Sequence, residues 1–158
     1  MTKTQWYIGA PNGVVVCVDA ARAGQLSGRL FHGYRADAEL FGNTEQMILQ
    51  MEALYDALDF PRLGLNERSF LPVEKAPIHY SEGDRIMKDE SLLNKHGDLG
   101  SFIIRVQHRQ NSSWQGRITW MEQDKTISFR SVWEMVKLIE SAVNTVSTEE
   151  EQEEAPRW

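Results

Sequence analysis

The sequence predicts an α+β protein built from two β-β-β-α units in tandem, with antiparallel sheets packed against two amphipathic helices. Three observations carry that expectation. Short β-branched or alternating runs precede each of two apolar stripes at helical spacing. Each stripe opens on a capping signature, Asn43 with Gln46 and Ser131 with Glu134. An offset of 88 residues, which sets Gly28 on Gly116, lays the second unit over the first without a gap from Val14/Phe102 to Asp56/Asn144.

Residues 1–12 read as a lead-in, and Pro11-Asn12-Gly13 is a turn signal because Asn and Gly tolerate positive φ. Val14 to Val18 is short and rich in β-branched residues, which predicts a buried strand. Ala20 to Ser27 reads as a Gly-containing connection, Arg29 to Tyr34 as a second strand and Glu39 to Phe41 as a third. From Asn43 onward Met47, Ile48, Met51, Leu54, Tyr55 and Leu58 recur on one helical face until Pro61 stops the helix.

Residues 61–100 hold Pro61, Pro72 and Pro77 among glycines and mixed charges, and read as an irregular connector anchored by Phe70, Leu71, Ile78 and Tyr80. The second unit spans 101–146. Phe102, Ile104 and Val106 alternate with Ile103, Arg105 and Gln107 across one strand. Asn111 to Ser113 is a turn. Trp114, Gly116, Ile118 and Trp120 then share one face of the next strand, and Gln115, Arg117 and Thr119 the other. Glu122 to Asp124 turns the chain into Thr126–Phe129, and Met135, Val136, Ile139, Ala142 and Val143 make the second helical stripe. Residues 147–158 are acidic and polar and are predicted to be disordered. The organisation is therefore 1–60, 61–100, 101–146 and 147–158 within one compact body.

The offset aligns Val18 with Val106, Arg29 with Arg117, Phe41 with Phe129, Met47 with Met135 and Glu52 with Glu140. Both helix caps and both apolar stripes coincide under it, which points to an internal duplication. A three-stranded sheet with one helix has little core of its own, so the two units are expected to pair through edge strands as a pseudo-twofold body.

The chain has 158 residues, 41% hydrophobic and 25% charged, with a net charge of −6 and a pI near 5.2. That balance argues against general binding to nucleic acid or an anionic membrane, which needs clustered Lys and Arg. The charge is uneven: residues 147–158 carry −4, while residues 100–146 carry +2. Cys17 is the single cysteine, so no intramolecular disulfide forms, and its apolar setting predicts a buried, inert thiol. The first residues do not read as a signal peptide, and no apolar run approaches the roughly 20 residues of a membrane span. A cytoplasmic location is the expectation.

No residue set predicts catalysis. His32, His79, His96 and His108 lack metal-ligand spacing, and there is no phosphate loop, GxSxG or EF-hand pattern. The expectation is a protein without enzymatic activity, metal or cofactor. Arg105 and Arg109 have the form RxxxR, and Asn111 to Gly116 the form NxSxxG. Together they resemble the two signatures of PilZ domains, small β-barrels that bind cyclic di-GMP. The resemblance covers residues 105–116 and implies a nucleotide gripped by Arg105, Arg109, Asn111 and Ser113, in keeping with bidentate Arg–phosphate contacts. The spacing departs from the family, where a strand or more separates the two motifs. The same stretch also reads as a hairpin with both arginines on its solvent face and Asn111–Ser113 as its turn.

Trp114 and Trp120 share a strand face with Ile118 and read as core, whereas Trp133 precedes the main helical stripe. Aromatic residues with Arg form interface hot spots. The preferred reading is an intracellular adaptor or regulatory module that binds a protein partner through Arg117, Trp120, Arg130, Trp133 and Lys137. A nucleotide-binding module is the alternative, and a nucleic-acid-associated or nucleic-acid-mimicking protein the third. Six methionines and an exposed edge strand would suit a homodimer.

Overall fold

A computed structural model describes residues 11–63, 69–72 and 79–154, with side chains as far as Asn144, Glu82 excepted. The strands are β1 (Val14–Arg22), β2 (Gln25–His32), β3 (Glu39–Phe41), β4 (Gly100–His108), β5 (Gln115–Trp120) and β6 (Lys125–Phe129). The helices are α1 (Thr44–Leu58), α2 (Asp89–Leu93) and α3 (Val132–Glu154). All six strands form one antiparallel sheet in the order β3-β2-β1-β4-β5-β6, joined where β1 of one unit pairs with β4 of the other. None of the described helices is long and apolar enough to cross a membrane.

The centre of the sheet is the pairing of β1 with β4. Val14 faces Ile104, Val15 faces Ile103 and Val16 faces Phe102, so β-branched residues meet on both faces. Outward from there the two halves keep the same register at the offset of 88. Val14 pairs with His32 and Val18 with Gly28, as Phe102 pairs with Trp120 and Val106 with Gly116. A bulge follows Val18 in one half and Val106 in the other. Gly28 then faces Phe41, and Gly116 faces Phe129. Both glycines are required for the same reason. A Cβ on Gly28 would stand 1.9 Å from the Cys17 carbonyl oxygen, and one on Gly116 would stand 2.1 Å from that of Arg105.

Alternation sends Val14, Val16, Val18, Phe102, Ile104 and Val106 to one face, where α1 and α3 cover them. α1 buries Met47, Met51, Leu54 and Tyr55, and α3 buries Met135, Val136, Ile139, Ala142 and Val143. Both caps form as the spacing predicts. The Gln46 amide donates to Asn43 Oδ1 at 2.8 Å and the Glu134 amide to Ser131 Oγ at 3.0 Å. Val15, Cys17, Phe31 and Ile103 line the opposite face beneath Leu92 of α2 and Met121. Burial there pushes the Cys17 thiol up to about 11.

Several expectations change. Residues 20–27 are mostly strand, and the connection shrinks to Ala23-Gly24, whose φ values of 51° and 75° suit a tight hairpin. The connector is not irregular throughout: α2 places Leu92 fully buried on the sheet. Tyr80 anchors the connector by stacking on Tyr34 at 5.1 Å, whereas Phe70 and Leu71 are exposed and Ile78 lies outside the described residues. α3 continues to Glu154, past the expected boundary at 146. Thr145 to Glu154 contain no Gly or Pro and five Glu among the last six, a composition compatible with helix. The last four residues lie outside the description.

Candidate partner-binding edge

A sheet ends in strands whose outer backbone groups have no ladder partner. Here those strands are β3 and β6, equivalent positions in the two units. They are finished differently. β3 has three residues, and Gln50 Nε2 of α1 donates to the Leu40 carbonyl at 2.8 Å, occupying an edge acceptor. Arg35 and Glu39 pair across its end at 3.2 Å. Beside it lies a groove of about 680 Å³ whose lining includes Leu40, Leu49, Gln50 and Ala53.

β6 has five residues, four of them exposed. The position equivalent to Gln50 is Leu138, which has no donor and packs partly against the core. The inner side of β6 is held firmly: it pairs with β5 along its whole length, and the Thr119 and Thr126 hydroxyls bond at 2.8 Å. Ile127 pairs with Ile118 on the helix-facing side but extends beyond helix cover and is 50% exposed.

The chain leaves β6 through Arg130 and Ser131 and enters α3. Trp133, in the first turn, is 69% exposed, and Lys137 Nζ lies 4.5 Å from its ring centroid. Arg130 pairs with Glu134 at 3.2 Å and Lys137 with Glu140 at 3.3 Å. Ser113 Oγ accepts from the Val132 amide at 3.0 Å, tying the β4–β5 turn to the start of α3. Arg130, Trp133 and Lys137 therefore gather at one corner beside β6. Trp120 is half-buried against the core at the end of β5. Arg117 does not join them, because its register with Arg105 and Ser128 places it on the face turned away from α3.

The residues of the nucleotide reading do not converge. The bulge after Val106 turns Arg109 toward α1, so it is 2% exposed rather than on the solvent face of a hairpin. Its Nε donates to the Pro61 carbonyl and its Nη1 to Asp56 Oδ1, both at 2.6 Å. Arg105 lies on the opposite face of the sheet, in register with Arg117. Asn111 and Ser112 have φ of 54° and 57°, and the Ser113 amide donates to Gln110 at 3.0 Å, so this segment is the hairpin turn. The barrel implied by the resemblance is replaced by an open sheet with α1 and α3 on one face and α2 on the other.

Sequence reasoning missed Ile127, Gln50 and Leu138. The offset of 88 holds the signal, since it sets a glutamine donor on a leucine. Among the described residues no three His, Cys, Asp or Glu side chains gather as a metal site. Compared with protein-family models, curated proteins and solved structures, the chain matches none.

Proposed function

We propose that this chain is a non-enzymatic adaptor or regulatory module that takes an extended segment of a protein partner as an added strand on β6. The difference between the two edges supports the reading: the β3 carbonyl is occupied by Gln50, while β6 is longer and Leu138 supplies no equivalent donor. Strand addition draws affinity from backbone hydrogen bonds and specificity from side chains beside the edge. Ile127 offers an apolar contact on the helix side, and Trp133 with Lys137 offers an aromatic and cationic one at the rim.

Capture from the native cell on immobilised full-length chain tests it. A partner held by the wild type and lost from both Ile127→Lys and Trp133→Ala is the expected result. A partner held equally by all three refutes the assignment.

We also infer that the two units descend from a tandem duplication. The coincidence of strand registers, bulges, glycine close approaches and helix caps at one offset supports this. Refolding and solubility of a chain carrying two copies of residues 101–146 in place of both units would test it: a folded six-stranded product is expected, an aggregate is not.

A further inference from the structure

We propose that the strand added to β6 is β6 of a second copy of this chain, paired antiparallel about Ile127. The inference rests on reading β6 as a binding edge and names the partner that its sequence fits.

In this arrangement Ile127 faces Ile127 of the second copy, and each flanking position faces its counterpart on the other side of the axis. Thr126 then meets Ser128, a hydroxyl pair of the kind that bonds across strands. Lys125 meets the apolar Phe129 instead of another cation. Asp124 and Arg130, just outside the two ends of the strand, come to the same end of the joint, so opposite charges flank it. No like charges stand directly opposite anywhere from 124 to 130. Pairing centred on Lys125 or on Arg130 would oppose like charges, which this register avoids.

The fold already contains the same kind of joint. At the centre of the sheet β1 and β4, which are equivalent at the offset of 88, pair antiparallel about Val15 and Ile103. Those two residues are themselves equivalent at that offset. Pairing β6 with β6 would repeat that joint and give a twelve-stranded sheet with α1 and α3 of both copies on one face. Growth would stop there, because the remaining outer edges are both β3, where Gln50 occupies the Leu40 carbonyl. A twofold joint through one edge and a closed second edge produce a dimer rather than a filament.

Light scattering coupled to size exclusion, on the full chain at tens of micromolar, tests this. Twice the 18.1 kDa chain mass is expected for the wild type. Ile127→Lys sets two cations face to face and should weaken self-association by about a hundredfold or more, giving a folded monomer. Ile127→Cys places two thiols on directly opposed Cα atoms, roughly 4.5–5.5 Å apart, which a disulfide spans. Air oxidation should therefore yield a covalent dimer that dithiothreitol reverses. If Ile127→Lys fails to fold, the Ile127→Cys result decides. A monomeric wild type, a dimer that survives Ile127→Lys, or an Ile127→Cys chain that does not cross-link each overturns self-pairing. A monomeric wild type whose captured partner is still lost on Ile127→Lys would overturn self-pairing alone and leave the binding edge standing.

Discussion

Replacing Arg109 with Ala should unfold the protein at a much lower temperature, because this arginine holds β4 to the end of α1. The guanidinium is 2% exposed and donates at 2.6 Å to both the Pro61 carbonyl and Asp56, with the Tyr55 ring 6.0 Å from its centre. Losing the charged hydrogen bond to the buried Pro61 carbonyl costs about 2 kcal/mol. Asp56 is 41% exposed and regains water when its partner leaves, so that bond contributes only about 1 kcal/mol. The contact with Tyr55 adds about 0.5 kcal/mol. The bond from Nη2 to the Tyr55 carbonyl is 3.5 Å long and adds little.

The total is about 3–4 kcal/mol, or a fall in Tm of about 10 °C for a domain of this size. Differential scanning calorimetry measures it, with Arg130→Ala, an exposed arginine, as a control that should move Tm by about 1 °C. A fall below about 3 °C for Arg109→Ala would refute the reasoning. It would also return Arg109 to the class of arginines held ready for a ligand, whose removal changes binding and spares the fold.

Gly28→Ala and Gly116→Ala should each destabilise by about 2–3 kcal/mol in urea titration, since each Cβ would meet a backbone oxygen at about 2 Å; a neutral result at either site would break the equivalence of the two hairpins. Asp19 is held below the usual carboxylate range: partial burial pushes it up, but the Arg29 side chain and the Asp98 amide outweigh that. A carboxylate depressed in the folded state stabilises above its unfolded value of about 3.9, and that contribution disappears as pH falls through the folded value. The Tm gap between wild type and Asp19→Asn should therefore be largest near pH 6 and close toward pH 2. A gap that widens on acidification would reverse the assignment. Cys17, with its thiol raised to about 11 by burial, should resist a thiol reagent at pH 8 until denaturant is added; rapid labelling of the native protein would show that the α2 cover over Cys17 opens easily. Cyclic di-GMP should produce no thermal shift, because Arg105 and Arg109 lie on opposite sides of the sheet; a saturable rise in Tm would restore the nucleotide reading.

Local chemistry made much of this protein legible in its sequence. Asn43 with Gln46 and Ser131 with Glu134 specify helix starts through bonds only three residues long, and those bonds form. Met47 to Tyr55 and Met135 to Val143 declare buried helix faces through spacing, and alternation from Phe102 to Val106 declares the faces of a strand. Tertiary structure decided what depends on neighbours distant in the chain. Only the pairing of β1 with β4 makes one sheet from two units, and only the bulge after Val106 turns Arg109 from solvent to the end of α1. Leu92 has no periodic signal in its five-residue helix, yet it seals the far face of the sheet over Cys17. The difference between the two edges lies deepest. Gln50 and Leu138 look alike as ordinary helix positions, and their consequence appears only when each helix lies beside its edge strand, where one position supplies a donor to the backbone and the other supplies none.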